Sequence, residues 1–242
     1  MVYALKTRID PARSLVQVNG FTLSEKLTAS SRSVNDRITR YLINGENVVR
    51  LAARVEPGRG ATGEISVSRP PETGPEAGTP PLARAELLIT PPAVAGEAVV
   101  RFSVADVPQW RFLTAPPVTG LAADALGAAE VLTGLIAEAA RGADADAIVE
   151  VLRRRLEDSA VEFGAPQIDR WREAVTTMLA DPERRVTIAP RERWVAEPAM
   201  GERVMHVRVA GGGPLVSVET EVGDMMLTFG LARLDGRWTV VR

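Results

Sequence analysis

The chain has no cysteine, one histidine and only two lysines among its 242 residues. Each scarcity closes off some chemistry. Without cysteine there is no disulfide framework, no thiolate zinc site and no thiol nucleophile. With His206 alone, a single chain cannot assemble a multi-histidine metal centre. No apolar run approaches the roughly 20 residues a membrane-spanning helix requires. The opening stretch from Met1 to Asp10 also lacks the basic-then-apolar order of a secretory signal. A cytoplasmic location is the default expectation; a secreted or periplasmic chain trimmed of its leader would read identically. Lys6 and Lys26 leave 27 of the 29 basic residues as arginine, which together with the abundant Ala, Gly and Pro matches codon usage in a GC-rich bacterial genome. The formal net charge of −2 gives no ground for nucleic-acid binding. What is present, 45% hydrophobic and 25% charged residues, is the balance of a folded globular chain long enough for two domains.

The texture changes along the chain. Up to Ala115 there are short β-type runs broken by turn residues. Val16-Gln17-Val18 alternates into Asn19-Gly20, and Asn47 to Val55, Glu64 to Ser68, Ala85 to Thr90 and Glu97 to Val104 continue the series. This pattern predicts an antiparallel β-sandwich over residues 1–115. Within it, residues 70–81 are dominated by Pro and Gly and predict a mobile surface loop. Pro116-Pro117 marks the boundary. Beyond it, apolar residues recur at helical spacing in three segments. The first carries Leu121, Ala125, Ala128, Leu132, Leu135, Ile136 and Ala139 and stops at Gly142. The second is capped by Asp144 and carries Val149, Leu152, Leu156, Ala160 and Phe163. The third carries Ile168, Trp171, Val175, Met178 and Leu179. Strand-like runs then return from Val186 to Val241, with Gly211-Gly212-Gly213 and Asp235-Gly236 as turns. Residues 118–242 therefore read as an α+β domain, three helices followed by an antiparallel meander. Met225, Leu227, Phe229 and Leu231 are expected to meet the helices.

Two local resemblances add to this reading. Val16-x-Val18-Asn19-Gly20, Asp36-x-x-Thr39-x-Tyr41-Leu42 and Gly45-x-Asn47-Val48-Val49 resemble the turn and strand motifs of the galactose-binding-like jelly-roll modules of glycoside hydrolases. The resemblance implies a jelly-roll type of sandwich and raises a glycan as a ligand class. Three helices before a curved sheet ending in Asp235-Gly236-Arg237-Trp238 resemble the ketosteroid-isomerase-like cone fold, shared with nuclear transport factors. That fold hosts isomerases, dehydratases and dimerisation modules, and it implies a homodimer paired through the sheets.

The candidate chemistry is thin. His206 could act as a general base near neutral pH, with Glu219 and Asp224 on neighbouring strands completing an acid/base set. Trp110 near the linker could contact a ligand if exposed. Gly211-Gly212-Gly213-Pro214 and Gly58 to Gly63 lack the Lys-Ser/Thr and helix start of a phosphate loop. Arg153-Arg154-Arg155 fans around a helix beside Glu150 and Glu157, which predicts self-paired charges rather than a patch. There is no nucleophile elbow, metal set or cofactor fingerprint. The leading expectation is a non-catalytic binding or assembly protein contacting a protein partner or a glycan, without cofactors. An isomerase- or dehydratase-type enzyme using His206 is the alternative. A filled core with an apolar patch outside would favour the former.

Overall fold

The computed structural model describes residues 2–69 and 80–242. The Pro/Gly-rich loop falls outside them except for Pro80 and Pro81. The chain divides into two compact units, Met1–Gln109 and Trp110–Arg242. The division precedes Pro116-Pro117 because the short 3-10 turn Arg111–Thr114 belongs to the second unit. Among the described residues no helix is long and apolar enough to cross a membrane.

The first unit is built around one long strand. β1 (Ala4–Val18) turns through Asn19-Gly20, both at positive φ (49° and 82°), into β2 (Phe21–Arg37), which pairs along its length. The other edge of β1 is shared. Its first half pairs with β4 (Ala61–Ser68) and its second half with β3 (Gly45–Arg54). The hand-over falls at Pro11, which lacks a ladder donor, and the β1–β2 register shifts on either side of Ala12. β5 (Ala83–Ile89) and β6 (Ala95–Val104) extend the sheet to the order β5-β4-β1-β3-β6. The ends β5 and β6 then come side by side, so the sheet nearly closes. A Cβ on Gly96 would lie 3.0 Å from Ile89 Cγ1 and 3.1 Å from Leu87 Cδ1, so glycine is what allows this approach. The expected sandwich strands thus lie in one hydrogen-bonded sheet wrapped around an apolar core that includes Leu5, Val16, Leu51, Ile65, Ile89 and Val100.

The motifs with jelly-roll resemblance meet in space. Asn19 Nδ2 donates to Asn47 Oδ1 (2.8 Å) and to the Tyr41 carbonyl (2.7 Å), while Asn19 Oδ1 accepts from Val48 N (2.9 Å). Asn47 is fully buried. Its Oδ1 also accepts from Ile43 N (2.9 Å), and its Nδ2 donates to the carbonyls of Ile43 (2.8 Å) and Gly45 (2.9 Å). Every polar valence of the amide that matters is used, so truncation strands several buried groups at once. Asn47→Ala is expected to cost the first unit about 2–3 kcal/mol, read by denaturant unfolding followed by circular dichroism.

In the second unit α1 (Ala122–Arg141), α2 (Ala145–Phe163) and α3 (Ile168–Leu179) precede the strands. Asp144 caps α2, its Oδ1 accepting from Ala147 N at 2.9 Å, and Gly164 ends it in the left-handed region. The buried face of α1 is smaller in side chain than its spacing suggests. Ala129, Thr133, Ala137 and Ala140 point inward, whereas Leu135 is exposed. Small residues let the helix lie close to the strands behind it. Those strands form two antiparallel sheets rather than one meander. β7 (Arg185–Ile188), β10 (Val216–Thr220) and β11 (Gly223–Leu227) make the order β11-β10-β7. β8 (Trp194–Ala199), β9 (Val204–Val209), β12 (Phe229–Leu234) and β13 (Arg237–Val240) make the order β13-β12-β9-β8. The chain passes between the sheets three times, and at the second passage, from β9 to β10, Gly211, Gly212 and Gly213 all take positive φ (86°, 90°, 98°) and turn it out of the β8–β9 ladder. α1 packs on strands of both sheets, and Met225, Leu227, Phe229 and Leu231 are buried in the shared core with it.

Candidate functional site

The chemistry available to His206 follows from its strand. It sits in β9 opposite Glu197 of β8 and Gly230 of β12, and only 2% of it is exposed. Removal from water disfavours the charged ring, and the nearby Arg208 guanidinium adds to this, so its pKa falls to about 3. At neutral pH the imidazole is uncharged and too weak a base for proton abstraction. The carboxylate opposite it, Glu197, is held by Arg208, whose Nε and Nη2 both donate to Oε2 at 3.1 Å. No spacing rule marks Glu197, since it reaches His206 only through the β8–β9 register.

Glu219 and Asp224 are brought together, but elsewhere. They are cross-strand partners on β10 and β11, in the three-stranded sheet, and both are exposed. The proposed acid/base set is therefore not assembled: its histidine is sealed in one sheet and its carboxylates stand in water on the other. Among the described residues no group of three or more His, Asp and Glu side chains is placed to hold a metal ion.

Trp110 is not an exposed ligand contact either. It is 2% exposed, stacks with Phe112 (centroids 6.3 Å apart, 7° between planes), and carries the Arg242 guanidinium 4.0 Å over its ring. Arg242 lies 3.8 Å from Asp158 of α2, and both side chains are buried. Burial pushes the Asp158 carboxyl above its usual range, and Arg242, Arg111 and Arg154 pull it back. This is a structural ionic core. The neighbouring Arg153 and Arg154 pair with Glu150 and Glu157 along α2, as their spacing predicts.

Comparison with family profiles, curated proteins and solved structures gives no match for this chain.

Exposed apolar side chains are scattered over both units, Leu88 of β5 among them, and three of them, Phe163, Val222 and Met226, lie around β11. Phe163, at the end of the α2 stripe, was expected in the core and is 54% exposed; Met226 is 61% and Val222 66% exposed. Phe163, Trp171, Met178 and Met226 line a groove of about 490 Å³ between α2, α3 and β11, with Arg155, Arg170 and Asp224 also lining it. Among the described residues β11 is the edge of its sheet, with no strand paired on its outer side. Alternation hides this site from sequence reading, because Phe163 and Trp171 fit the helical core pattern as well as any buried residue.

Proposed function

We propose that this chain is a non-catalytic binding and assembly protein whose second unit takes an extended segment of a protein partner along the edge of β11. On this reading the first unit is a jelly-roll type of module and the second a cone-fold type of platform adapted to binding. The observation that carries the proposal is the pairing of an open sheet edge with a groove in which Phe163 and Met226 are exposed beside the half-buried Trp171 and Met178. An added strand satisfies edge donors and acceptors, and alternate side chains enter the groove. Phe163, Trp171 and Met226 supply the large apolar contacts that dominate such interfaces. Exposed Arg170 favours an acidic residue in the partner segment. The acid/base enzyme reading has no comparable support, since His206 is neutral, buried and remote in topology from Glu219 and Asp224. A glycan partner is also less well supported, because outside this groove no aromatic among the described residues is exposed: Tyr41 and Trp238 are half-buried and the others buried.

Selection of a random peptide library on the full chain is expected to return sequences alternating apolar and acidic residues. Their affinity should fall at least tenfold for both Met226→Glu and Arg170→Glu, the loss of about 1.4 kcal/mol or more typical of one interface anchor. Peptides that bind both variants as tightly as the original chain would overturn the proposal.

A further inference from the structure

A second surface, on the first unit, carries an independent charge problem. Arg13 of β1 and Arg54 of β3 are direct cross-strand partners, so their Cβ atoms lie about 5 Å apart on the same side of the sheet. Both are exposed, and among the described residues neither makes an ion pair or a side-chain hydrogen bond. The next row along this face carries its carboxylates at the ends, Glu25 of β2 opposite Leu15 and Glu97 of β6 opposite Ala52, and none stands directly opposite Arg13 or Arg54 on β1, β3 or β6. Leu15 and Ala52 form the adjacent cross-strand pair, and Ala95 stands opposite Arg54 on β6. The nearby carboxylate Glu97 is already held by Arg50 at 2.7 Å. Like charges facing each other directly across a ladder are destabilising.

These residues border an open cleft of about 580 Å³ formed by β1, β2, β3 and β6, whose lining includes Arg13, Lys26, Arg50 and Arg54 against only Glu25 and Glu97. The cationic excess is thus two charges, and the floor beside the facing arginines is the apolar pair Leu15 and Ala52, with Glu25 and Glu97 at its two ends. Guanidinium groups present forked donors that match tetrahedral oxyanions, and two of them side by side match a dianion better than a carboxylate. The cleft is too short, and the chain as a whole too acidic, for a nucleic-acid track. We infer that this cleft binds a phosphate monoester of a small molecule, its phosphoryl group bridging Arg13 and Arg54 and its body lying over Leu15 and Ala52.

The test uses the full chain and inorganic phosphate as the probe, titrated against chloride at constant ionic strength. Phosphate is expected to shift the amide resonances of Arg13, Arg54 and Ala95. At ten times its Kd it should raise the Tm of the first unit by roughly 5 °C beyond chloride. Arg54→Glu converts the facing pair to opposite charges. It is expected to raise Tm in the absence of phosphate while abolishing the phosphate response. Arg13→Gln, which removes one fork without reversing charge, should weaken phosphate at least tenfold. Equal responses to phosphate and chloride in the unmodified chain would overturn the inference. So would an undiminished phosphate response in either variant, or an oligonucleotide binding more tightly than phosphate and surviving both substitutions.

Discussion

Lowering the pH from 7 to 4 is expected to remove about 3 kcal/mol from the unfolding free energy of the second unit, and His206 is the cause. In the unfolded chain the imidazole titrates near 6.5, and in the native sheet burial holds it down to about 3. The folded state therefore binds fewer protons than the unfolded state between those values. The stabilisation is complete above pH 6.5 and is lost as the pH falls through the window, at about 1.4 kcal/mol per unit. The raised carboxyl of Asp158 works in the opposite direction at the acid end of this range, and the carboxyls of Glu150 and Asp181, held low by their hydrogen bonds, work in the same direction as the histidine. His206→Gln, uncharged at every pH, separates them. The difference in slope between the two proteins belongs to the histidine alone, because the chain has no other. The measurement is convenient, since Trp110, Trp171, Trp194 and Trp238 all lie in the second unit and their fluorescence reports its unfolding without the first. Parallel stability curves for the two proteins from pH 7 to 4.5 would refute a buried, neutral His206.

Trp110→Ala is expected to destabilise the second unit by about 3–5 kcal/mol, the cost of emptying a fully packed indole site. The loss has two sources. The cavity forfeits contact with Phe112, and the Arg242 guanidinium loses the ring face that shields it beside Asp158. Trp110→Phe keeps an aromatic face and should cost less than half as much. Guanidinium unfolding followed by the remaining three tryptophans gives both values. Peptide affinity at the β11 groove should be unchanged for folded Trp110→Phe. A stability loss below 1 kcal/mol for the alanine variant would mean that the ring is not part of a packed core.

Much of the local structure was legible in the residues. Asn19-Gly20 and Asp235-Gly236 announce hairpins, and both occupy positive φ where the strands reverse. Asp144 and Gly164 bracket α2 as caps should. Other elements were hidden for identifiable reasons. β2, rich in Ser and Thr, shows little apolar alternation and, among the described residues, pairs with β1 alone. Leu135 and Phe163 satisfy helical periodicity but face water, since a stripe wider than the surface it covers leaves its margins exposed. The candidate site suffered most. His206 lies on a strand face with Arg208, a pattern that reads as solvated, yet that face is covered and the imidazole sealed.

The chain's sequence by itself determined the change from strand rhythm to helical rhythm, the caps and the tight turns, because each depends on residues within a few positions of one another. Only the tertiary structure decided that one strand would be shared by three others, and that the later strands would divide between two sheets. It alone set His206 opposite Glu197 rather than Glu219, and Arg13 opposite Arg54. Those pairings join residues far apart in the chain. Their register is chosen by the burial of whole faces, a property no short stretch of sequence contains.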